Sequence, residues 1–256
     1  MSLEKIEIIK EISFNDLCAR LQEVRLRGFP DVKIYEKARV TIKKVSPEDV
    51  IQKVFTPQPT VYQDHLDRID LMRRLFRDQG IDIYNLNGGY DYVATDSEGN
   101  ETEWTIIPPV VEIIPINPCR PGLDYSEFLG EELKRLMREQ GHNLNPELNS
   151  LSFPEYPISR TFIPQVCDGS HRIHSAIINN SHQNILLIEN VTEGFPYYAV
   201  PQPYSVVRVI PTRDETDKIS EKIHVLTDPA HKLLYRVFST GGLKTGDVRS
   251  TTRNFI

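Results

Sequence analysis

The residues best suited to chemistry lie together in one short stretch, VCDGSHRIHSAI, at positions 166–177. An apolar run ends there in Asp-Gly-Ser, and a helical pattern follows at once. The amides of a helix N-terminus and the helix dipole favour an anion, above all a phosphate. Arg172 can add a bidentate guanidinium contact, and His171 a further donor. We therefore expect four consecutive residues to hold a phosphate group: Gly169, Ser170, His171 and Arg172.

The residue before this glycine supplies the opposite chemistry. The carboxylate of Asp168 can hold Mg²⁺ beside a phosphate or accept a proton, so residues 168–172 (the Asp-Gly turn) suit phosphoryl or nucleotidyl chemistry. A simpler interpretation stays open, because Asp-Gly is a common turn dipeptide and Ser170 can cap a helix without any ligand. His171 and His174 could ligate a metal three residues apart on a helix, but no third ligand accompanies them in the sequence.

Composition narrows the class of protein. The 256 residues are 39% hydrophobic and 26% charged, with a formal net charge of −6. That charge argues against a protein whose main task is to neutralise a nucleic-acid backbone. Cys18, Cys119 and Cys167 are odd in number and widely spaced, which indicates neither a disulfide framework nor a zinc site. With no signal-peptide core and no apolar run of membrane length, we expect a cytoplasmic protein without a membrane partner.

Periodicity and capping residues predict a mixed α/β (α+β) fold. Helices are predicted over 13–28, 46–55, 61–80, 124–141, 170–178 and 228–239. Strands are predicted over 38–45, 108–116, 161–166 and 184–190, with a hairpin over 90–107 and extended segments over 196–211. A loop or lid is predicted over 142–160. We expect an N-terminal extension of helices and a β-hairpin over 1–120 and a core over 121–256, with a single domain as the alternative.

The stretch IPQVCDGSHRIHSAI resembles the signature of the ParB/sulfiredoxin superfamily. In that signature a strand leads into Asp-Gly-x-His-Arg or Gly-Gly-x-His-Arg and then into a helix, and residues 168–172 match it position by position. The resemblance is specific over about twelve residues and loose over about one hundred. It implies a ParB/sulfiredoxin-like core with the turn as its nucleotide phosphate site, closest to the kinase-like and "DGQHR" branches. Ser170 stands where sulfiredoxins carry a reactive cysteine, which argues against sulfinic-acid repair.

The resemblance to free serine kinases in this superfamily leads to a first functional hypothesis. It implies a nucleotide-dependent phosphotransferase that acts on a small hydroxylated metabolite, using ATP, ADP or another nucleotide together with Mg²⁺. Asp168 and His171 would be catalytic, and Asp168 would also bind the metal. Glu112 is the candidate general base, because it lies on an element that precedes the motif.

Two alternatives remain open at this point. One is a nucleic-acid-associated nuclease, or a nucleotide-switched binding protein of the ParB type. The acidic composition favours a small molecule over a nucleic-acid partner. The other is a fold that binds a nucleotide without turnover, or binds nothing.

Overall fold

A computed structural model describes residues 3–57, 60–116, 161–192, 201–211 and 233–245. Within these ranges the mixed α/β architecture is confirmed. Four helices are described: α1 (Phe14–Gln22), α2 (Pro47–Lys53), α3 (Gln63–Arg77) and α4 (Ser170–Ile178). The predicted helix over 124–141 and the loop over 142–160 lie outside the described residues.

Thirteen strands are described, and many are short. In chain order they are β1 (Leu3–Ile12), β2 (Arg25–Leu26), β3 (Arg39–Val45), β4 (Phe55–Thr56), β5 (Thr60–Tyr62), β6 (Gly89–Asp96), β7 (Glu101–Ile106), β8 (Val110–Ile116), β9 (Thr161–Asp168), β10 (Gln183–Glu189), β11 (Gln202–Pro203), β12 (Arg208–Ile210) and β13 (Arg236–Val237). Short 3₁₀ turns follow at Tyr204–Val206 and Phe238–Gly241.

The first two helices begin where their capping residues predict. The Ser13 hydroxyl accepts a hydrogen bond from the amide of Asp16 at 3.1 Å, and the Ser46 hydroxyl accepts one from Asp49 at 3.1 Å. Each bond satisfies an amide that the helix itself leaves without a partner. The predicted helix over 13–28 is too long, because α1 ends at Gln22 and the chain continues into the short strand β2.

A six-stranded sheet forms the centre of the described structure, in the order β11-β4-β9-β8-β10-β3. Strand β8 pairs antiparallel with β9 and parallel with β10. The sequence β9–α4–β10 is therefore not a parallel crossover, since β8 lies between two strands of opposite direction. The sheet draws strands from both sides of residue 120, and the division of the chain at that position stays a prediction.

Both faces of this sheet are covered by apolar packing. Val111 of β8 and Val166 of β9 face one side, where they pack with Ile173 of α4 and with residues of α2. Val110 and Ile114 face the other side, where α1 and the C-terminal segment 233–245 close the core. Alternate residues of β8 thus point to opposite faces of the sheet. Helix α4 covers only the face that carries Val111 and Val166.

A second sheet has the order β1-β6-β7. Its strands β6 and β7 are the predicted hairpin, which turns at 96–100 and is confirmed. Helix α3 covers this sheet through a separate apolar cluster and also packs against α4. The hairpin and α3 are thereby placed next to the Asp-Gly turn.

The predicted helix over 228–239 is wrong in its second half. Arg236–Val237 form a strand that pairs with β2, and a 3₁₀ turn follows. This extended geometry allows Arg236 to reach inward, where it is 3% exposed, and Phe238 to fill the core. Among the described residues no helix combines the length and apolar character needed to cross a membrane.

Candidate functional site

The Asp-Gly turn joins β9 to α4 through a left-handed glycine. Gly169 has φ +85° and ψ 22°, and a Cβ there would lie 2.9 Å from Cβ of Pro109. Only glycine meets both conditions without strain. Gly169 is also the N-cap residue, so the N-cap position of α4 has no side chain that could make a cap hydrogen bond. Ser170 is therefore the first helical residue and not the cap that the simpler interpretation made of it.

Arg172 and Asp168 face each other across the turn. Nη2 of Arg172 lies 3.1 Å from Oδ2 of Asp168, and Nη1 donates to the carbonyl oxygen of Ile107. Both side chains are largely buried, with 12% and 8% of their surfaces exposed. The guanidinium thus neutralises the carboxylate and ties the turn to the end of the hairpin. A phosphate that recruits Arg172 must compete with Asp168.

The hydroxyl of Ser170 faces inward. Its Oγ lies 3.4 Å from Oγ1 of Thr56 on β4, and both residues are buried. Burial raises the pKa of the adjacent Tyr204, and the nearby hydroxyls of Thr56 and Ser170 oppose that rise. The hydroxyls of Thr56 and Ser170 hold the start of α4 against β4. Ser170 would therefore contact a ligand through its backbone amide and not through its hydroxyl.

His171 contacts two residues that lie far from the turn in the sequence. Its Nε2 lies 3.3 Å from Nδ1 of His65 on α3, and its ring stacks on Tyr62 with a centroid distance of 6.0 Å. His65 lies 106 positions earlier in the chain. No local motif could have pointed to it, because the packing of α3 against α4 makes the contact.

His174 does not extend this histidine pair (His65 and His171) into a metal site. Burial lowers its pKa, so the imidazole is favoured in its neutral form. Its Nδ1 has no hydrogen-bond partner among the described residues. Within the same residues no three His, Cys, Asp or Glu side chains are grouped to hold a metal ion. A single carboxylate still suits Mg²⁺ when phosphates supply its other ligands, and Asp168 fits that requirement.

Glu112 lies away from the turn, on the opposite face of the six-stranded sheet from α4. It is fully buried and forms a bidentate ion pair with Arg236, at 2.9 Å from Nε to Oε1 and 2.8 Å from Nη2 to Oε2. The hydroxyl of Tyr35 donates to the same carboxylate. This geometry favours a structural role for Glu112, and the structure does not bring it together with Asp168.

Cys167 belongs to this buried polar group as well. Its Sγ lies 3.5 Å from the Tyr35 hydroxyl, and only 2% of the residue is exposed. Burial raises the pKa of the Cys167 thiol, and the negative charge of Glu112 raises it further. A thiol held in its neutral form is a poor nucleophile, so the structure favours an inert Cys167.

Comparison with known families gives one match. Residues 16–117 match the family described as the ParB CE domain, which is less than half of the chain. The match supports a ParB-like family. It ends before the Asp-Gly turn and leaves the kinase-like branch without confirmation. No curated protein and no solved structure matches the chain.

Proposed function

We propose that the protein is a ParB-type protein that binds a nucleotide through its phosphates at the Asp-Gly turn. The observation that carries the proposal is the left-handed Gly169, which is the N-cap residue of α4 and leads directly into its first turn. A glycine at the N-cap position has neither a side chain nor a Cβ, which favours close approach of an anion to the first amides of the helix. His171 and Arg172 lie in the same first turn and add donors.

In this proposal the pair of Arg172 and Asp168 exchanges partners on binding. A phosphate oxygen replaces the Asp168 carboxylate on Arg172, and the carboxylate then becomes available to a divalent cation. Mg²⁺ held by one carboxylate and by phosphate oxygens is common in nucleotide sites. The positive charges of Arg172 and Mg²⁺ together offset the charge of the phosphates.

The reaction proposed for this site is phosphoryl transfer from ATP or ADP to a small hydroxylated metabolite. Such transfer needs positioning and charge neutralisation more than covalent chemistry. Asp168 is the acidic residue placed at the turn, and with His171 it is the candidate for proton transfer. Glu112 receives no part in the reaction, because it is buried in its ion pair with Arg236 on the other face of the sheet.

The match to the ParB CE domain favours a second candidate function, a nucleotide-switched binding protein or nuclease that acts with nucleic acid. Its basic surface would come from α3, which carries Arg68, Arg73, Arg74 and Arg77. Acidic residues alternate with these arginines, and the chain has a formal charge of −6. Binding to nucleic acid that weakens steeply with added salt would support this candidate.

Both candidate functions require that a nucleotide binds at the Asp-Gly turn. Thermal unfolding with ATP, ADP, CTP, GTP and pyrophosphate, each with Mg²⁺, tests this requirement. A ligand that binds only the folded state raises the melting temperature. We expect a rise with at least one nucleotide that is lost in Arg172→Gln and kept in the control Arg39→Gln, which changes an exposed arginine on β3. No rise with any nucleotide would contradict the proposal. Transfer of label from the bound nucleotide to serine or a similar hydroxylated metabolite would separate the kinase from the binding protein.

A further inference from the structure

The histidine pair joins the Asp-Gly turn to a helix outside the motif. His65 lies in the first turn of α3 and His171 in the first turn of α4. Their ring centroids are 4.6 Å apart and the planes are tilted by 59°. Tyr62 stacks on His171 and also contacts the ring of His65. The rings of Tyr62 and His65 therefore hold the imidazole of His171 in one orientation beside the proposed phosphate position.

The separation of the two nitrogens fixes how many protons they share. Nδ1 of His65 and Nε2 of His171 are 3.3 Å apart, which is the geometry of one N–H···N hydrogen bond. One nitrogen donates and the other accepts, so a single proton lies between the rings. A second proton at this position would remove the acceptor and add a positive charge, and an anion close to both rings would stabilise that charge.

We propose that His65 is a phosphate-binding residue of this site, and that the histidine pair takes up one proton from water when the phosphate binds. This inference rests on the proposed nucleotide site. The N–H···N hydrogen bond is exchanged for one N–H···O⁻ bond from each ring to the phosphate. The ligand recognised in this way is a terminal phosphate or a pyrophosphate group, whose charge exceeds what Arg172 alone offsets.

The charged groups around the pair are compatible with such an uptake. On α3, Oδ2 of Asp64 lies 4.0 Å from Nε2 of His65, and Arg68 follows one turn later. On α4, Arg172 is neutralised by Asp168 before a ligand binds. On the neighbouring strands, Tyr62 of β5 contributes a ring, and Arg208 of β12 lies in register with Thr60. Asp64 favours a proton on His65, and the positive charges of Arg68 and Arg208 oppose it.

Calorimetry with pyrophosphate tests this inference. At about pH 7 the binding enthalpy is measured in two buffers of different ionisation enthalpy, so that the difference reports the protons taken up. Wild type, His65→Gln and the control His182→Gln, which changes an exposed histidine outside the site, are compared. Glutamine keeps a donor at position 65 but gains no proton. Because the ligand's own ionisation is common to all three proteins, differences between them belong to the protein.

We expect wild type and His182→Gln to take up a substantial fraction of one proton. His65→Gln should take up less and bind pyrophosphate about tenfold more weakly. Pyrophosphate binding with equal proton uptake and affinity in all three proteins would overturn this inference and leave the nucleotide site standing. Absence of any pyrophosphate or nucleotide binding would overturn both. If His65→Gln does not fold, a wild-type binding enthalpy that is the same in both buffers, after correction for the ligand, overturns the inference.

Discussion

Arg172 and Asp168 close the Asp-Gly turn by pairing with each other, with Nη2 of Arg172 at 3.1 Å from Oδ2 of Asp168. The two residues are the first and last polar side chains of the five-residue motif, and they are four positions apart. A phosphate and a divalent cation would each take one member of this pair. The pair carries no net charge, and the proposed ligands would compete with this internal ion pair.

Asp168→Asn should separate the two proposed roles of Asp168, which are pairing with Arg172 and binding the divalent cation. In the variant, pyrophosphate does not have to displace a carboxylate from Arg172. Pyrophosphate without Mg²⁺ should therefore bind Asp168→Asn several-fold more tightly than it binds wild type. The increase in affinity that Mg²⁺ gives the wild type should be lost in the variant, because the proposed metal ligand is gone. Titrations with and without Mg²⁺ measure both effects. Weaker binding of metal-free pyrophosphate to Asp168→Asn would contradict competition within the pair.

Gly169→Ala should destabilise the protein more than Gly99→Ala. Both glycines have positive φ, at +85° and +82°. Alanine at either position would therefore introduce backbone strain of about 1 kcal/mol or more. A Cβ at Gly99 meets no atom within 4 Å, whereas at Gly169 it lies 2.9 Å from Cβ of Pro109. The difference in unfolding free energy between the two variants, from urea titrations, reports that close approach. Equal losses of unfolding free energy in the two variants would contradict this prediction and would show that Pro109 shifts without cost.

Arg236→Met should lower the free energy of unfolding by about 3–5 kcal/mol, because Glu112 would remain buried without its cation. Arg236 and Glu112 are 3% and 0% exposed, so water does not replace the lost contact. The double variant Glu112→Leu/Arg236→Met should recover a large part of the loss, since no buried charge remains. Chemical denaturation of the three proteins measures this. If the double variant is as unstable as Arg236→Met, the loss of stability does not come from leaving Glu112 buried without its cation.

Tyr92→Phe should make the protein less sensitive to alkali. Burial raises the pKa of Tyr92 to about 12, although the charge of Arg172 opposes the rise. The folded state therefore keeps the phenol proton that the unfolded chain loses above its own pKa of about 10. The stabilisation is complete below pH 10 and is lost as pH rises towards 12, by on the order of 2 kcal/mol.

Urea unfolding at several pH values between 8 and 12 checks this prediction. Wild type should lose more stability over the window than Tyr92→Phe. Tyr90→Phe, on the same strand but less buried, should reduce the loss by less than Tyr92→Phe, because burial raises the pKa of Tyr90 as well. Tyr84 and Tyr204 also have raised pKa values, so Tyr92→Phe removes only part of the alkaline loss. Parallel curves for wild type and Tyr92→Phe would contradict the assignment to Tyr92.

Local sequence patterns predicted the features that depend on neighbours in the chain. Ser13 and Ser46 cap their helices through bonds three residues ahead, and the 90–107 hairpin turns within five residues. The Asp-Gly turn was visible for the same reason, since its five residues are consecutive. A left-handed glycine, a strand end and a helix start each leave a local signal.

Features that depend on distant contacts could not be predicted. His65 meets His171 across 106 positions, and Glu112 meets Arg236 across 124. From the sequence, Glu112 in the apolar run PPVVEIIPI is compatible with a site or with a surface or edge-strand charge, and only the position of Arg236 shows that it forms a buried ion pair. Strand β1 was missed because only Ile6 and Ile12 of its ten residues are buried, and its partner β6 lies far along the chain.

The central claim is that phosphates bind at the N-terminus of α4, and backbone amide NMR tests it most directly. Pyrophosphate and then the stabilising nucleotide are added with Mg²⁺ to isotope-labelled protein. We expect the largest amide shifts at Gly169, Ser170, His171 and Arg172, and we expect them to be lost in Arg172→Gln. Shifts centred on another part of the chain, or no shifts at saturating ligand, would contradict it.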